Sequence, residues 1–205
     1  MGPFSFYGAM SDYFAVFELP RKLQLDEEGL RRRFYELSRR HHPDFHQLAG
    51  EDEQATSLTD SALINRAYRA LRDPLARVEY LVALEAGPSS SAPGKPAVPQ
   101  NLLMEMMEVQ EALEEAKDAG LDEAAREQLR VDRGRLLDRR TATEAAIVAR
   151  GAEWDAAVDQ GADRAPLLAW FKDALATRAY LRTVIDDLSQ ALGEDQDAHV
   201  SHRRH

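Results

Sequence analysis

The 205 residues contain no cysteine, which excludes disulfides, thiolate zinc sites and cysteine nucleophiles at once. No stretch approaches the ~20 consecutive apolar residues that a membrane-spanning helix needs. Alternating runs rich in Val and Ile are also missing, while Ala, Leu, Glu and Arg dominate, so an all-α fold is expected. A surplus of positive charge is lacking too. The formal net charge is −10, which argues against a phosphate-neutralising nucleic-acid binder. Residues 11–87 hold 14 acids against 11 bases, and residues 99–192 hold 19 against 12, so the acidity sits mainly in the second half. No Gly-rich phosphate loop and no nucleophile motif is present. The carboxylates lie on regular helix faces beside Arg or Lys, as solubilising pairs do. The chain reads as a non-enzyme without a cofactor. The opening Met1–Met10 has neither the basic start of a secretory signal nor the Arg-rich character of a mitochondrial presequence, so a cytoplasmic location is expected.

What is present is organised around one boundary. In Gly87–Pro99, GPSSSAPGKPAVP, nine of thirteen residues are Pro, Ser or Gly, which suit neither a helix interior nor a packed core. As a flexible coil it would span roughly 20 Å. The chain therefore divides into residues 11–87, a linker at 88–99, a second helical unit at 100–192, and a polar tail at 193–205 expected to be disordered.

The first unit opens with a short apolar, strand-like segment, Tyr13–Phe17, closed by Leu19-Pro20. Asp26 is a plausible N-cap, and Glu27 and Glu28 occupy the acidic first turn of a helix that runs to about Arg40. Leu30, Phe34, Leu37 and His41 fall within about 60° of one another and form its buried stripe. Arg32 and Arg39 project from the opposite side, and Arg33 and Arg40 flank the stripe. Pro43 ends the helix at His42-Pro43-Asp44. A second long helix follows, with Ser61, Ile64, Tyr68 and Leu71 repeating every three to four residues and Ala67 beside them, ending at Arg72-Asp73-Pro74. Leu75–Leu84 forms a further short helix, stopped by Gly87 and Pro88.

Beyond the linker, helices are expected over about Asn101–Ala119, Asp122–Arg150 and Trp154–Leu192, which suggests a three-helix bundle. The last is interrupted near Gly161–Pro166, where Asp163 is a candidate cap and Pro166 suits a first turn. In the first of the three, Leu102, Met106, Val109, Leu113 and Ala116 lie within about 80° and suffice as a core stripe. Leu103, Met104 and Met107 turn to the far side, beside Glu108, Glu111 and Glu115. Large apolar residues rimmed by carboxylates on an outward face point to a partner site, and methionine suits an adaptable one. Packing against another helix would account for the same residues.

An apolar opening segment, a basic-faced helix, His42-Pro43-Asp44 in a loop, and then a helix carrying Ile64-Asn65-Arg66-Ala67-Tyr68 is an order of elements that resembles the J domain of DnaJ-type co-chaperones over about Tyr13–Leu84. The phrases DYFAVFELP, HHPDF, INRAYRALRDPLARVEYLV and LLMEMMEVQEALEEA resemble, more narrowly, the HscB family of J-proteins dedicated to iron–sulfur cluster biogenesis. The resemblance implies an antiparallel hairpin with the loop at its tip. His42, Pro43 and Asp44, with Arg32, Arg39 and Arg40, would contact an HscA/DnaK-type ATPase chaperone and stimulate its ATP hydrolysis. It also implies a C-terminal three-helix bundle that binds an IscU-type iron–sulfur scaffold protein through Leu103, Met104, Met107, Glu108, Glu111 and Glu115. The last helix is expected to add Phe171 or its neighbour Trp170.

A J-protein serving a different folded client of DnaK is the alternative. General J-proteins carry Gly/Phe-rich and β-rich client segments, and this chain has neither. The histidine groups His41, His42, His46 and His199, His202, His205 raise a metal reading, but structural zinc needs four ligands in fixed geometry, and no metal site is assigned. If the protein is not an enzyme, the purified chain should neither bind nor hydrolyse ATP by calorimetry and phosphate release. Turnover by the chain alone would overturn that reading.

Overall fold

The computed structural model describes residues 12–42, 50–87, 104, 107, 109–111, 114 and 122–193. Every regular element with defined bounds among them is an α-helix: α1 Tyr13–Val16, α2 Glu27–Arg40, α3 Glu51–Arg72, α4 Pro74–Ala86, α5 Glu123–Ala149, α6 Gly151–Gln160 and α7 Ala165–Leu192. None is long and apolar enough to cross a membrane. The contacts group into two compact units, Met1–Ala92 with Val148–Leu168, and Pro93–Ile147 with Ala169–His205.

In the first unit the opening apolar segment is a single helical turn, not the strand-like piece its composition suggests. The Asp12 side chain caps it by accepting from the Phe14 N–H, and Phe14 and Phe17, three residues apart, both enter the core. Tyr13 stacks on Tyr80 at 4.3 Å between centroids and donates its N–H to the Tyr80 hydroxyl at 2.8 Å. Asp26 caps α2 as expected, accepting from the Glu28 N–H. Leu30 is buried, and Phe34 stacks on Tyr68 of α3 at 4.1 Å. Phe34 meets Tyr68 while His41 meets Ser57 and Asp60, so the partners run in opposite chain directions and α2–α3 is an antiparallel hairpin. Ile64, Ala67 and Leu71 of α3 and Val78, Leu81 and Val82 of α4 complete the core. Asp73 ends α3 and caps α4 through the Ala76 N–H, with Pro74 at the first helical position, where its missing N–H costs nothing. Gly87, at φ 68°, ends α4 in a conformation that favours glycine.

The connection from α1 to α2 is held by a buried clamp. The Arg77 guanidinium, 2% exposed, donates to the carbonyls of Leu71 (2.6 Å), Leu23 (2.5 Å) and Arg72 (3.4 Å). Asp155 of α6 accepts from the Leu23 N–H at 2.6 Å and the Gln24 N–H at 2.8 Å. Leu23 thus has its carbonyl on a buried cation and its amide on a buried anion. Burial pulls the Arg77 pKa below its ordinary value, and the negative charges of Glu27, Asp73 and Asp155 oppose that shift. The Trp154 indole donates to the Arg21 carbonyl at 2.9 Å, and Arg164 lies over the Trp154 ring. Gly151 backs directly onto Leu23, with room for no larger side chain unless Leu23 shifts. These contacts place α6 in the first unit, although it lies more than sixty residues beyond α4 in sequence.

In the second unit Asp122 caps α5 through the Ala125 N–H at 2.7 Å. Leu129 and Leu136 pack with Val109 and with Leu181, Val184, Ile185 and Leu188 of α7, whose spacing makes one helical stripe. Arg133 reaches Ser189, and Glu144 pairs with Arg178 at 2.7 Å, so α5 and α7 are antiparallel. Three chain segments, carrying Val109, α5 and α7, supply this core, as a three-helix bundle requires. The interruption read near Gly161–Pro166 is a complete break. Gly161 ends α6 in the left-handed region, and Asp163 accepts from the Ala165 N–H at the start of α7.

Asp155→Ala should lower stability by about 2–4 kcal/mol, because it strands the buried Leu23 amide and the part-buried Gln24 amide and removes one of the negative charges that compensate Arg77. Asp159→Ala, which removes only the exposed partner of Lys22, should cost under about 0.5 kcal/mol. Urea denaturation of the two variants measures the difference.

Candidate partner-binding surfaces

The first candidate surface is the outer face and carboxyl end of α2. Its C-terminal turn carries Arg39 and Arg40, positive charges placed where the helix dipole is negative. Arg32, Arg39 and Arg40 are all exposed, as the helical phase of the sequence predicts. Arg32 makes only loose, exposed ion pairs with Asp26 (3.6 Å) and Glu28 (3.9 Å), which are worth little in water and are readily exchanged for a partner's carboxylates. Arg33, by contrast, is paired with Glu18 across the first unit and is committed to the fold.

His42 follows α2 directly and is exposed, whereas Pro43 and Asp44 lie outside the described residues. One surface residue on this helix was not singled out from sequence. Tyr35 is exposed, one turn from both Arg31 and Arg39, and forms a row with them. The Phe34-Tyr35 pair held the signal, because successive helical positions differ by about 100° and only Phe34 belongs to the stripe.

The second candidate surface lies on the helical segment that contains Met104, Met107 and Val109. Met104 is 62% and Met107 69% exposed, while Val109 is 6% exposed and sits in the bundle core. Glu111 is also exposed and helical. The two methionines therefore face away from the core that Val109 enters, with a carboxylate beside them. Leu103, Glu108 and Glu115 lie outside the described residues. On α7, Phe171 is fully buried and Trp170, packed edge-on against it at 5.5 Å, is half-buried. Of this pair only Trp170 presents surface. The helical phase of α7 decided which ring turns inward, and the sequence had left the two open.

Among the described residues no group of three His, Cys, Asp or Glu side chains gathers as metal ligands would.

Substituting Met104 and Met107 together by Ser should leave the thermal midpoint within about 1 °C, since exposed positions change stability little. Val109→Ala should cost about 2 kcal/mol through the core it empties. A destabilised methionine variant in thermal denaturation would show that the pair is packed against the protein rather than presented by it.

Residues 98–160 match the family described as the HSCB C-terminal oligomerisation domain, a match that ends where α6 ends. Among solved structures, the chaperone HscB from Vibrio cholerae is 29% identical, with 86% of this chain and 99% of that chain covered and a TM-score of 0.48. The human co-chaperone protein HscB is 23% identical, with 88% of this chain and 82% of that chain covered, and its TM-score of 0.59 shows a shared all-helical fold. The family match falls in the part of the chain that follows, in sequence, an antiparallel hairpin leading from a basic helix into His42.

Proposed function

We propose that this chain is a co-chaperone of iron–sulfur cluster biogenesis that holds an IscU-type scaffold protein and stimulates ATP hydrolysis by an HscA/DnaK-type chaperone. The observation that carries the reading is the pairing of two outward surfaces in one HscB-type chain. One is the basic face of α2 leading to exposed His42, and the other is the Met104–Met107 patch over the bundle.

In this reading residues 11–87 are the J domain, 88–99 the linker and 100–192 the scaffold-binding domain, with α6 lent to the J domain as a brace. Arg32, Arg39 and Arg40 steer an acidic partner and pair with its carboxylates, with Tyr35 beside them as a rigid contact. His42, Pro43 and Asp44 make the contacts that trigger hydrolysis. The ATP and the catalytic groups belong to the chaperone. Leu103, Met104 and Met107, ringed by Glu108, Glu111 and Glu115, hold the scaffold, and Trp170 of α7 joins them. The protein acts in the cytoplasm as a bridge, raising the local concentration of client at the chaperone it activates.

Steady-state ATPase of an HscA-type chaperone, with this protein and an IscU-type scaffold added singly and together, tests the reading. The two should act synergistically. His42→Gln should abolish stimulation while scaffold binding by calorimetry is unchanged, and the Met104/Met107 double Ser variant should do the reverse. Stimulation without any effect or binding of the scaffold would show that the client is a different protein. Survival of stimulation in His42→Gln would refute the assignment of the loop. Loss of self-association instead of scaffold binding in the methionine variant would assign that patch to oligomer contacts.

A further inference from the structure

His41, the last residue before exposed His42, is gripped twice from α3. Its backbone carbonyl accepts from the Ser57 hydroxyl at 3.0 Å, and its Nδ1 lies 3.1 Å from Asp60 Oδ2. Its own N–H still closes the last turn of α2 on the Leu37 carbonyl. The carbonyls at a helix C-terminus have no partner within the helix and are ordinarily satisfied by water or a following turn. Here one is satisfied by a buried hydroxyl of the neighbouring helix, 16 residues along the chain. Ser57 and Asp60 are three residues apart and so share one face of α3, which lets a single helix hold the main chain and the side chain of the same residue.

Two restraints on consecutive groups of His41 leave little freedom to the bond that leads into His42. A side chain held near its docking geometry needs no ordering when it binds, whereas one that samples many orientations binds with an affinity reduced by the fraction of time spent in the competent one. Neither Ser57 nor Asp60 faces a partner in the proposed function. They act through His41.

We propose that Ser57 and Asp60 are positioning residues which, by holding His41 at the end of α2, present His42 to the chaperone. The inference rests on the reading of His42 as the chaperone contact. The side chains of His41 and Asp60 are about one-third exposed, so the pair contributes little to global stability, and its value lies in local order.

The test is the concentration of this protein that half-maximally stimulates the chaperone ATPase, compared with the rate at saturation. Asp60→Ala and Ser57→Ala should each raise the half-maximal concentration by about three- to tenfold, with the saturated rate unchanged, as expected for a loss of pre-organisation by one hydrogen bond. Asp60→Asn keeps an acceptor for Nδ1–H and should restore most of the effect. Thermal denaturation and scaffold binding should match the parent for both Asp60 variants, so the shift cannot be ascribed to unfolding. His42→Gln in the same assay separates the two claims. If it abolishes stimulation while Asp60→Ala and Ser57→Ala behave as parent, the positioning role is wrong and the chaperone contact stands. If His42→Gln stimulates normally, the chaperone reading itself fails. A lowered saturated rate with an unchanged half-maximal concentration would also overturn the inference, because pre-organisation acts on affinity.

Discussion

The arrangement of the first unit depends on satisfying one buried cation. A guanidinium taken out of water is tolerated only if its donors find acceptors and its charge finds compensation. Arg77 finds three main-chain carbonyls, two at the end of α3 and one at Leu23, and the opposing charge of Asp155 grips the amide of that same Leu23. The consequence is geometric. Residues 21–24, a connection without helical hydrogen bonds of its own, become as determined as the helices beside them. Since Asp26 caps α2 two residues later, the start of the basic helix is set by the same clamp. The consequence for the chain is that the α2–α3 hairpin shares its unit with α6, which lies far along the sequence.

Arginine appears in this protein in three physical roles, set by surroundings and not by residue type. Arg77 is buried and bonds a backbone carbonyl with each of its three side-chain nitrogens, while Arg33 is half-buried and tied to Glu18. Arg32, Arg39 and Arg40 are exposed on the same helix, Arg32 and Arg39 opposite the buried stripe and Arg40 about two turns further along the flank that carries Arg33. Exposed charges of the last kind contribute little to folding. The second unit shows the apolar counterpart. Val109 is spent on the core, and Met104 and Met107 are left on the surface by the same 3.6-residue period.

Much of this was legible in the chain because it depends on local chemistry. Asp26 and Asp163 cap helices as their positions before helical patterns indicate, since an N-terminal amide needs an acceptor two or three residues back, and Asp73 and Asp122 do the same. The stripe Leu30–Phe34 and the outward phase of Met104 and Met107 follow from helical periodicity alone. The same reasoning misjudged Tyr13–Phe17, where a run of aromatics reads as strand but one capping aspartate makes a helical turn. It also left Trp170 and Phe171 undecided, because in an apolar stretch either ring satisfies the pattern and only packing selects one.

By itself the sequence determined the helical class, the caps at Asp26 and Asp163, the basic face of α2 and the outward methionines, because each follows from interactions within about one turn. Only the tertiary structure decided that Arg77 and Asp155 meet across Leu23, that Ser57 and Asp60 hold His41, and that α6 packs with the first unit. Those pairings join residues 16 to 132 positions apart. A lone Asp on a helix gives no local sign of which distant amide it will accept from, because that choice is made by packing and not by spacing.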